Sequence, residues 1–244
     1  MVPISVDLAF ARKDIRKASE QGRIIVVIDV LRATSTIITA LSNGAKGIIP
    51  TETIREARIL WKSYPESLLA GERRGLKPRG FHLGNSPLEF KREIVEGKMV
   101  ILTTTSGTKT IGVAKASPHV ILAAFLNASA AAERILQIAQ EEGLGITLAP
   151  SGRKNSFSLE DFLCAGAIAI KLKDAKAEFS DFALGALLSF QGLKQPLDRF
   201  IWNCHHAREL VKKGFEADVK FCSRLDVFRR VPVLKLKGDH LLIA

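Results

Sequence analysis

The sequence predicts an α/β protein with three layers, α/β/α, in which helices cover both faces of a mostly parallel sheet. Short apolar runs rich in β-branched residues alternate along the chain with amphipathic stretches, an order typical of parallel strands connected by helices. The first run, residues 24–28 (IIVVI), is apolar throughout, as expected for a central strand covered on both faces. No internal repeat or linker-like stretch interrupts the pattern, so we predict a single domain over residues 1–244.

The first half of the chain contains predicted strands separated by helices with recognisable ends. Asn43-Gly44 ends a helix, because glycine accepts the left-handed conformation that closes one. Thr51 and Ser86 are candidate N-caps, since their hydroxyls can accept hydrogen bonds from free amides, and Pro87 suits a first helical turn. The predicted strands are 24–29, 47–49, 68–70 and 98–102, and the predicted helices are 34–41, 51–63, one that starts at 86 and one that ends near 115.

The second half continues the alternation. We predict a capping box in which Ser158 and Asp161, at the third helical position, satisfy each other's backbone amides. The predicted strands are 120–124, 146–149 and 231–237, and the predicted helices are 129–142, which ends at Gly143, and a helical region from 158 to about 213.

The charge of the chain suggests an anionic partner. The 36 Lys and Arg exceed the 25 Asp and Glu by a formal net charge of +11. The surplus of basic residues is spread along the sequence, and aromatic residues make up only 7% of the chain. Nucleic-acid-binding proteins, in contrast, usually cluster their basic residues among stacking aromatics. We therefore expect a small anionic substrate and no nucleic acid, with a basic nucleic-acid-binding protein as the alternative.

Cysteines and apolar residues indicate the compartment. Cys164, Cys204 and Cys222 are widely spaced and form no metal-binding pattern, so we expect free, buried thiols. No apolar run reaches the roughly 18 residues of a membrane span. Charged residues interrupt the N-terminal segment where a signal peptide needs an apolar core. We expect a cytoplasmic protein with no membrane partner.

Polar residues follow four of the predicted strands directly. Because the carboxyl ends of parallel strands lie along one edge of a sheet, and ligands bind there, we predict that these clusters form one site. The clusters are Asp29 with Arg32, Ser35 and Thr36, then Glu72 with Arg73, then the segment 103–108 (TTTSGT), and then the segment 151–155 (SGRKN).

The segment 103–108 offers hydroxyls and amides at the start of a helix, where the free N–H groups and the helix dipole favour an anion such as phosphate. The alternative is ordinary capping of that helix. It is not a Walker A loop, because no GxxxxGK[ST] pattern is present.

Four carboxylates near these clusters suit a hard divalent cation such as Mg²⁺. Asp29 closes a strand and could be a metal ligand, a nucleophile or only an N-cap. Glu160 and Asp161 could instead simply complement the dipole of their own helix. The candidate metal ligands are Asp29, Glu72, Glu160 and Asp161.

Four motifs resemble, in order, those of the 2-phosphosulfolactate phosphatase family, and the resemblance extends over about residues 24–232. They are 26–37 (VVIDVLRATSTI), 71–87 (GERRGLKPRGFHLGNSP), 103–108 (TTTSGT) and 158–166 (SLEDFLCAG). The resemblance implies an α/β/α fold particular to that family and Mg²⁺-dependent hydrolysis of 2-phospho-3-sulfolactate to 3-sulfolactate and phosphate, in coenzyme M biosynthesis. Such a substrate carries phosphate, carboxylate and sulfonate groups, which the basic surplus would balance.

Some positions depart from the family pattern. Arg74 and Arg79 stand where Gly and a Glu-like residue are usual, His82 where Asp is common, and Ser106 where Asn is usual. These changes spare the positions on which phosphatase chemistry depends, so the alternative that they raise is a different small anionic phosphate ester. The spared positions are Asp29, Arg32, Glu72, Asn85 and Asp161.

From the resemblance and the clusters together we assign expected roles. Asp29, Arg32 and Asp161 are the expected catalytic residues, with Asp29 attacking directly or activating water. We also expect a homodimer, the commonest assembly for such an enzyme. The expected substrate-binding residues are Ser35, Thr36, Asn85 and Ser86, the phosphate-binding Thr104, Thr105, Ser106, Gly107 and Thr108, and, for the carboxylate and sulfonate, Arg73, Lys77 and Arg153.

Overall fold

The computed structural model describes residues 3–153, 156–237 and 240–244. Lys154 and Asn155, which end the last predicted polar cluster, lie outside the described residues. The strands are β1 (Ser5–Leu8), β2 (Ile24–Ile28), β3 (Gly47–Thr51), β4 (Leu68–Gly71), β5 (Met99–Thr103), β6 (Val120–Ala123), β7 (Ile146–Pro150), β8 (Glu178–Phe179), β9 (Leu234–Lys237) and β10 (His240–Ile243). The helices are α1 (Arg12–Glu20), α2 (Ala33–Ser42), α3 (Ile54–Ser63), α4 (Arg92–Val95), α5 (Gly107–Ala114), α6 (Ala128–Glu142), α7 (Leu159–Lys173), α8 (Asp181–Gln191), α9 (Leu197–Trp202), α10 (His205–Val211) and α11 (Glu216–Cys222).

The first sheet has five parallel strands in the order β6-β2-β7-β1-β8. In this sheet β2 lies between β6 and β7, with Ile28 opposite Ala123 on one side and Pro150 on the other. Val26 packs into a core formed with α6, α7 and α8, whereas its neighbour Val27 packs into a core formed with α1, α2 and α5. Both faces of β2 are buried, which explains its uninterrupted apolar sequence, and the predicted α/β/α layering is confirmed.

A second five-stranded sheet, in the order β4-β5-β3-β10-β9, packs against the layer of α1, α2 and α5. In it β3, β4 and β5 are parallel, and β10 runs antiparallel to both β3 and β9. Ile48 and Val100 face the shared helical layer, while Ile49 and Ile101 face α3 on the outside. The layer of α1, α2 and α5 therefore covers one face of each sheet.

Several predicted boundaries need correction. Thr51 ends β3, where it pairs with Thr103 of β5, and the following helix begins three residues later with Thr53 as its N-cap. The hydroxyl of Thr53 accepts a hydrogen bond from the amide of Glu56 at 3.0 Å. Ser86 precedes only a short 3₁₀ turn, after which α4 makes a single helical turn.

Cys164, Cys204 and Cys222 are all free and buried, as predicted. Among the residues that the structure describes, no helix has the length and apolar character that crossing a membrane requires.

Candidate active site

A cavity of about 360 Å³ opens where four strands end. Of these strands, β2 and β7 belong to the first sheet and β4 and β5 to the second, so the cavity lies between the carboxyl ends of both sheets. The structure thus brings together the polar clusters that follow these strands. The lining residues are Asp29, Leu31, Arg32, Glu72, Arg74, Gly75, Asn85, Thr104, Thr105, Ser106, Gly152, Arg153, Asp161, His206, Glu209, Leu210, Lys212 and Lys213.

Asp29 and Asp161 are two buried carboxylates in this cavity. Oδ1 of Asp29 accepts a hydrogen bond from the amide of Ala33, the first residue of α2, at 3.1 Å. Asp161 accepts one from the amide of Val30 at 2.8 Å and one from the amide of Gly152 at 3.1 Å. Asp161 therefore joins the segments that follow β2 and β7.

The predicted capping box at the start of α7 is wrong. Ser158 occupies the N-cap position but its side chain makes no capping hydrogen bond. Asp161 is engaged by the amides of Val30 and Gly152 instead, because α7 packs with its first turn against those segments.

Burial dominates the protonation of this pair. It raises the pKa of Asp29 from 3.8 to about 6, an effect that the Ala33 hydrogen bond and nearby His206 oppose. Burial, followed by repulsion from Asp29 and Glu160, raises the pKa of Asp161 well above its usual range. Two buried carboxylates that repel each other are stabilised by a proton or by a cation.

Glu72 fixes the opposite side of the cavity. Its Oε1 accepts a hydrogen bond from the amide of Thr105 at 2.6 Å, and its Oε2 one from the amide of Gly75 at 2.7 Å. Gly71 precedes it with φ +145°, where a Cβ atom would lie 2.1 Å from the carbonyl oxygen of Thr103. Only glycine permits this close approach, which places Glu72 beside the loop after β5.

The loop after β5 presents unused hydrogen-bonding groups to the cavity. Thr104 and Thr108 cap the start of α5, since the amide of Thr108 donates to Oγ1 of Thr104 at 3.0 Å. The hydroxyl oxygen of Thr105 is buried without a hydrogen-bond partner among the described residues, and Ser106 makes no capping bond with its side chain. Capping therefore accounts for Thr104 and Thr108 but leaves two hydroxyls available to a ligand.

The N-termini of α2 and α5 meet at Asp29. A Cβ atom on Gly107 would lie 2.8 Å from Oδ2 of Asp29 and 2.5 Å from Cβ of Ala33. The positive dipole ends of two helices thus lie beside one carboxylate.

Arg32 is held rigidly in the cavity wall. Its Nη1 lies 2.6 Å from Oδ2 of Asp218, and its Nη2 donates to the carbonyl oxygen of Gly75 at 2.7 Å. The guanidinium also lies over the ring of Phe215, 4.2 Å from its centroid. Ser86 donates to the other oxygen of Asp218 at 2.6 Å, so this predicted substrate-binding residue holds the partner of Arg32.

Four other predicted substrate-binding side chains are directed away from the cavity. Ser35 donates to the carbonyl oxygen of Val30, and Thr36 to that of Asn85, so both brace the backbone. Arg73 donates to the carbonyl oxygens of Glu72 and Glu52 and to the hydroxyl of Thr103, and Lys77 lies 3.5 Å from the carbonyl oxygen of His82. Arg74, the next residue after Arg73, lines the cavity instead.

Glu160 lies behind the cavity and contacts a residue that the sequence analysis missed. Its Oε1 is 3.3 Å from Nδ1 of His206, a cavity-lining residue of α10. Burial alone would raise the pKa of Glu160, but His206 brings it below its ordinary value. His206 therefore favours an ionised Glu160.

Helix α10 and the residues after it form the side of the cavity that the motifs did not predict. Glu209 pairs with Arg153, and Lys212 and Lys213 follow at the helix end. The local signal was a pair of histidines at the start of this short helix and a pair of lysines just after it, a pattern equally typical of a solvent-exposed surface.

The carboxylates around the cavity provide a limited set of donors for the predicted Mg²⁺. Among the described residues, no three His, Cys, Asp or Glu side chains come together as metal ligands. Asp29 and Asp161 provide two hard oxygen donors and a local excess of negative charge, which fits Mg²⁺ because this ion is usually held by one or two carboxylates, waters and substrate phosphate. Glu72 and Glu160 are engaged by backbone amides and by His206.

Comparison with known proteins gives a consistent picture. A family model described as 2-phosphosulpholactate phosphatase matches residues 10–237. A protein of Thermotoga maritima is 46% identical over 212 residues, covering 87% of this chain and 89% of its own. A protein of Carboxydothermus hydrogenoformans is 38% identical over 242 residues, covering 98% and 97%, and one of Clostridium perfringens is 40% identical over 225 residues, covering 90% and 89%. All three relatives are named "Probable 2-phosphosulfolactate phosphatase".

Proposed function

The chain belongs to the 2-phosphosulfolactate phosphatase family and is a phosphoric monoester hydrolase, and we propose that it converts 2-phospho-3-sulfolactate to 3-sulfolactate and phosphate. The observation that carries this proposal is the cavity, in which buried carboxylates face the free amides and hydroxyls at the start of α5. Such an arrangement suits a phosphate group with a cation beside it. We assign the reaction to coenzyme M biosynthesis on the basis of the family resemblance.

We propose that Asp29 and Asp161 hold Mg²⁺. Their raised pKa values reflect burial first and repulsion from neighbouring carboxylates second, and a bound cation would offset both. When bound, the ion would neutralise charge on the phosphoryl oxygens. Glu72 keeps a positioning role, because both of its carboxylate oxygens order the backbone around the phosphate loop.

The chain's own groups bind the phosphate and orient it. The amides at the start of α5 and the hydroxyls of Thr105 and Ser106 would donate hydrogen bonds to the phosphoryl oxygens. The guanidinium of Arg32 supplies a positive charge whose direction is fixed by Asp218, so little reorganisation is needed as charge develops in the transition state. Each of these groups is in place before substrate arrives.

Asp29 is the residue that would act on the reacting phosphorus. It would attack directly or accept a proton from the attacking water, and both roles need its ionised form. With a pKa of about 6, Asp29 is mostly ionised at neutral pH. Because this pKa lies near neutral pH, the carboxylate can also accept a proton during the reaction.

The experiment that tests the proposal is phosphate release from 2-phospho-3-sulfolactate with Mg²⁺ and with excess chelator. We expect Mg²⁺-dependent release by the wild type, a loss of more than about tenfold, or ~1.4 kcal/mol of barrier, in Asp29→Asn, and wild-type rates in the control Asp14→Asn on the exposed face of α1. If the protein hydrolyses other phosphate esters but not 2-phospho-3-sulfolactate, the substrate is the alternative, a different small anionic phosphate ester. No turnover of any ester would contradict the phosphatase proposal.

A further inference from the structure

Charges of opposite sign occupy different parts of the cavity. The carboxylates Asp29 and Asp161 are buried, whereas Arg74, Lys212 and Lys213 are exposed where the cavity meets solvent. We name these three residues the cationic edge. Among the described residues, the cationic edge has no carboxylate partner for any of its three side chains.

The other arginines of the cavity each have a carboxylate partner. Arg32 pairs with buried Asp218, and Arg153 pairs with Glu209. The arginines and lysines of the cavity that lack a carboxylate partner among the described residues are therefore those of the cationic edge.

The cationic edge joins two distant segments of the chain. Nζ of Lys213, just after α10, donates to the carbonyl oxygen of Arg74 at 2.6 Å. Arg74 itself adopts a left-handed conformation with φ +55°, and the next residue, Gly75, is held by Arg32 and Glu72. This network holds the turn after β4 against the end of α10 and keeps Arg74 at the cavity.

We propose that the cationic edge binds the acid groups of the substrate that do not react, and so selects phosphate esters that carry further anionic groups. The inference rests on the proposed function for the position of the phosphate at α5. A carboxylate or sulfonate on the same molecule is repelled by Asp29 and Asp161 and attracted to the guanidinium of Arg74 and the ammonium of Lys212, which donate charge-assisted hydrogen bonds. Lys213 acts as a positioning residue for Arg74.

An equilibrium measurement tests this without catalysis. 3-Sulfolactate carries the carboxylate and the sulfonate but no phosphate, and its binding can be measured by titration calorimetry. We expect Arg74→Gly and Lys212→Ala each to raise its Kd about tenfold, as for the loss of one hydrogen bond to a charged group. Glycine is chosen at position 74 because it adopts the left-handed backbone without strain. Lys173→Ala, exposed at the end of α7, is the matched control and should leave Kd unchanged.

A kinetic comparison separates selection from a general loss of activity. Isopropyl phosphate has a secondary alcohol as leaving group but no further acid group. We expect Arg74→Gly and Lys212→Ala to lower kcat/KM for 2-phospho-3-sulfolactate at least about tenfold more than for isopropyl phosphate, mainly through KM, because contacts to unreacting groups are uniform in ground and transition states. Equal losses on both esters would overturn the inference.

The two readouts also keep the inference and the proposed function apart. No measurable binding of 3-sulfolactate to the wild type, or equal Kd values in wild type and variants, would overturn the role of the cationic edge. Binding that the variants lose, together with no phosphate release from the wild type, would support the cationic edge while contradicting the proposed reaction.

Discussion

At the scale of single residues, Asp29 combines a chemical role with a cost in stability. Burial raises its pKa from 3.8 to about 6, so the folded state favours the neutral acid. A carboxyl whose pKa is raised on folding contributes stability at low pH that is lost as the pH rises through the folded value. At pH 8 the ionised, buried group therefore destabilises the fold, by about 2–3 kcal/mol from 1.36 kcal/mol per pKa unit.

We accordingly predict that Asp29→Asn unfolds at a higher urea concentration than the wild type at pH 8. The gain should be about 2 kcal/mol in the free energy of unfolding, and should shrink to a small fraction at pH 4, where the wild-type carboxyl is protonated in the folded state. Asp14→Asn on the surface of α1 should show no such pH-dependent gain. Equal stability of Asp29→Asn and wild type at pH 8 would show that the Asp29 carboxylate is not strained by burial.

The buried pair of Arg32 and Asp218 gives a second prediction. Asp218→Asn leaves the guanidinium buried without its partner, and we expect a loss of about 3–5 kcal/mol in the free energy of unfolding, measured by urea denaturation. The exposed pair of Arg229 and Glu133 is the control, where Glu133→Gln should change stability by less than about 1 kcal/mol. A similar small effect at both sites would mean that Arg32 finds another anion or water in the variant.

At the scale of helices and strands, the sequence predicts those elements whose signal is local. The buried strand β2 and the helix α6 lie close to their predicted ranges. Their signals are local: β2 is a continuous apolar run, and Gly143, in the left-handed conformation, directly follows α6. Thr51 was misassigned because its pairing with Thr103 involves a strand about fifty residues away. The first strand, β1, was missed, since its four residues owe their pairing to β7.

The contrast between local signals and long-range packing also explains which parts of the candidate site could be predicted. The sequence predicts that residues which follow strand ends lie together, and Asp29, Glu72 and Thr105 all line the cavity. Which of the neighbouring Arg73 and Arg74 faces the cavity depends on the left-handed turn at position 74, which no pattern of side chains encodes. Helix α10 reaches the cavity only through tertiary packing, so its contribution could not be predicted.

The meeting of α2 and α5 at Asp29 yields a prediction at this scale. Gly107→Ala would place a Cβ atom 2.5 Å from Cβ of Ala33 and 2.8 Å from Oδ2 of Asp29, forcing the two helix starts apart. We expect a loss of about 1–3 kcal/mol in stability, as in overpacked cores, and at least about a tenfold fall in kcat. Urea denaturation and phosphate release measure the two effects.

Gly185→Ala in α8 is the matched control for this substitution. A Cβ atom there would meet its nearest neighbour, Phe162, at 3.9 Å, which is ordinary contact. Alanine is also the better helix former, so stability should rise by up to about 1 kcal/mol with activity unchanged. Normal kcat in Gly107→Ala would show that the helix starts can separate without disturbing the site.

At the scale of the whole molecule, alternation of strands and helices predicted the layers but not the division of the strands between two sheets. Which strand pairs with which depends on how each crossover connection packs, and successive strands β2 and β3 enter different sheets. The division matters for function, because the cavity is built from the ends of both sheets. The homodimer and the cytoplasmic location stay predictions from the sequence.

The helical layer between the sheets also bears on the prediction of a single domain. Ile15 of α1, Ile37 of α2 and Ile111 of α5 share one buried core with Val27 of the first sheet and Val100 of the second. Neither sheet can lose this layer without exposing apolar surface of the other. We therefore predict that both sheets unfold in one transition.

The two tryptophans of the chain report on opposite sides of this layer. Trp61 packs against the core between α3 and the second sheet, and Trp202 packs against the core of the first sheet. Fluorescence of Trp202→Phe thus follows the second sheet, and that of Trp61→Phe follows the first. For each variant we compare the unfolding midpoint from fluorescence with the midpoint from circular dichroism of the same variant. We expect the two midpoints to coincide in both variants. A fluorescence transition that precedes the loss of helix in one variant alone would divide the molecule into two units, with the active-site cavity at the boundary where they separate.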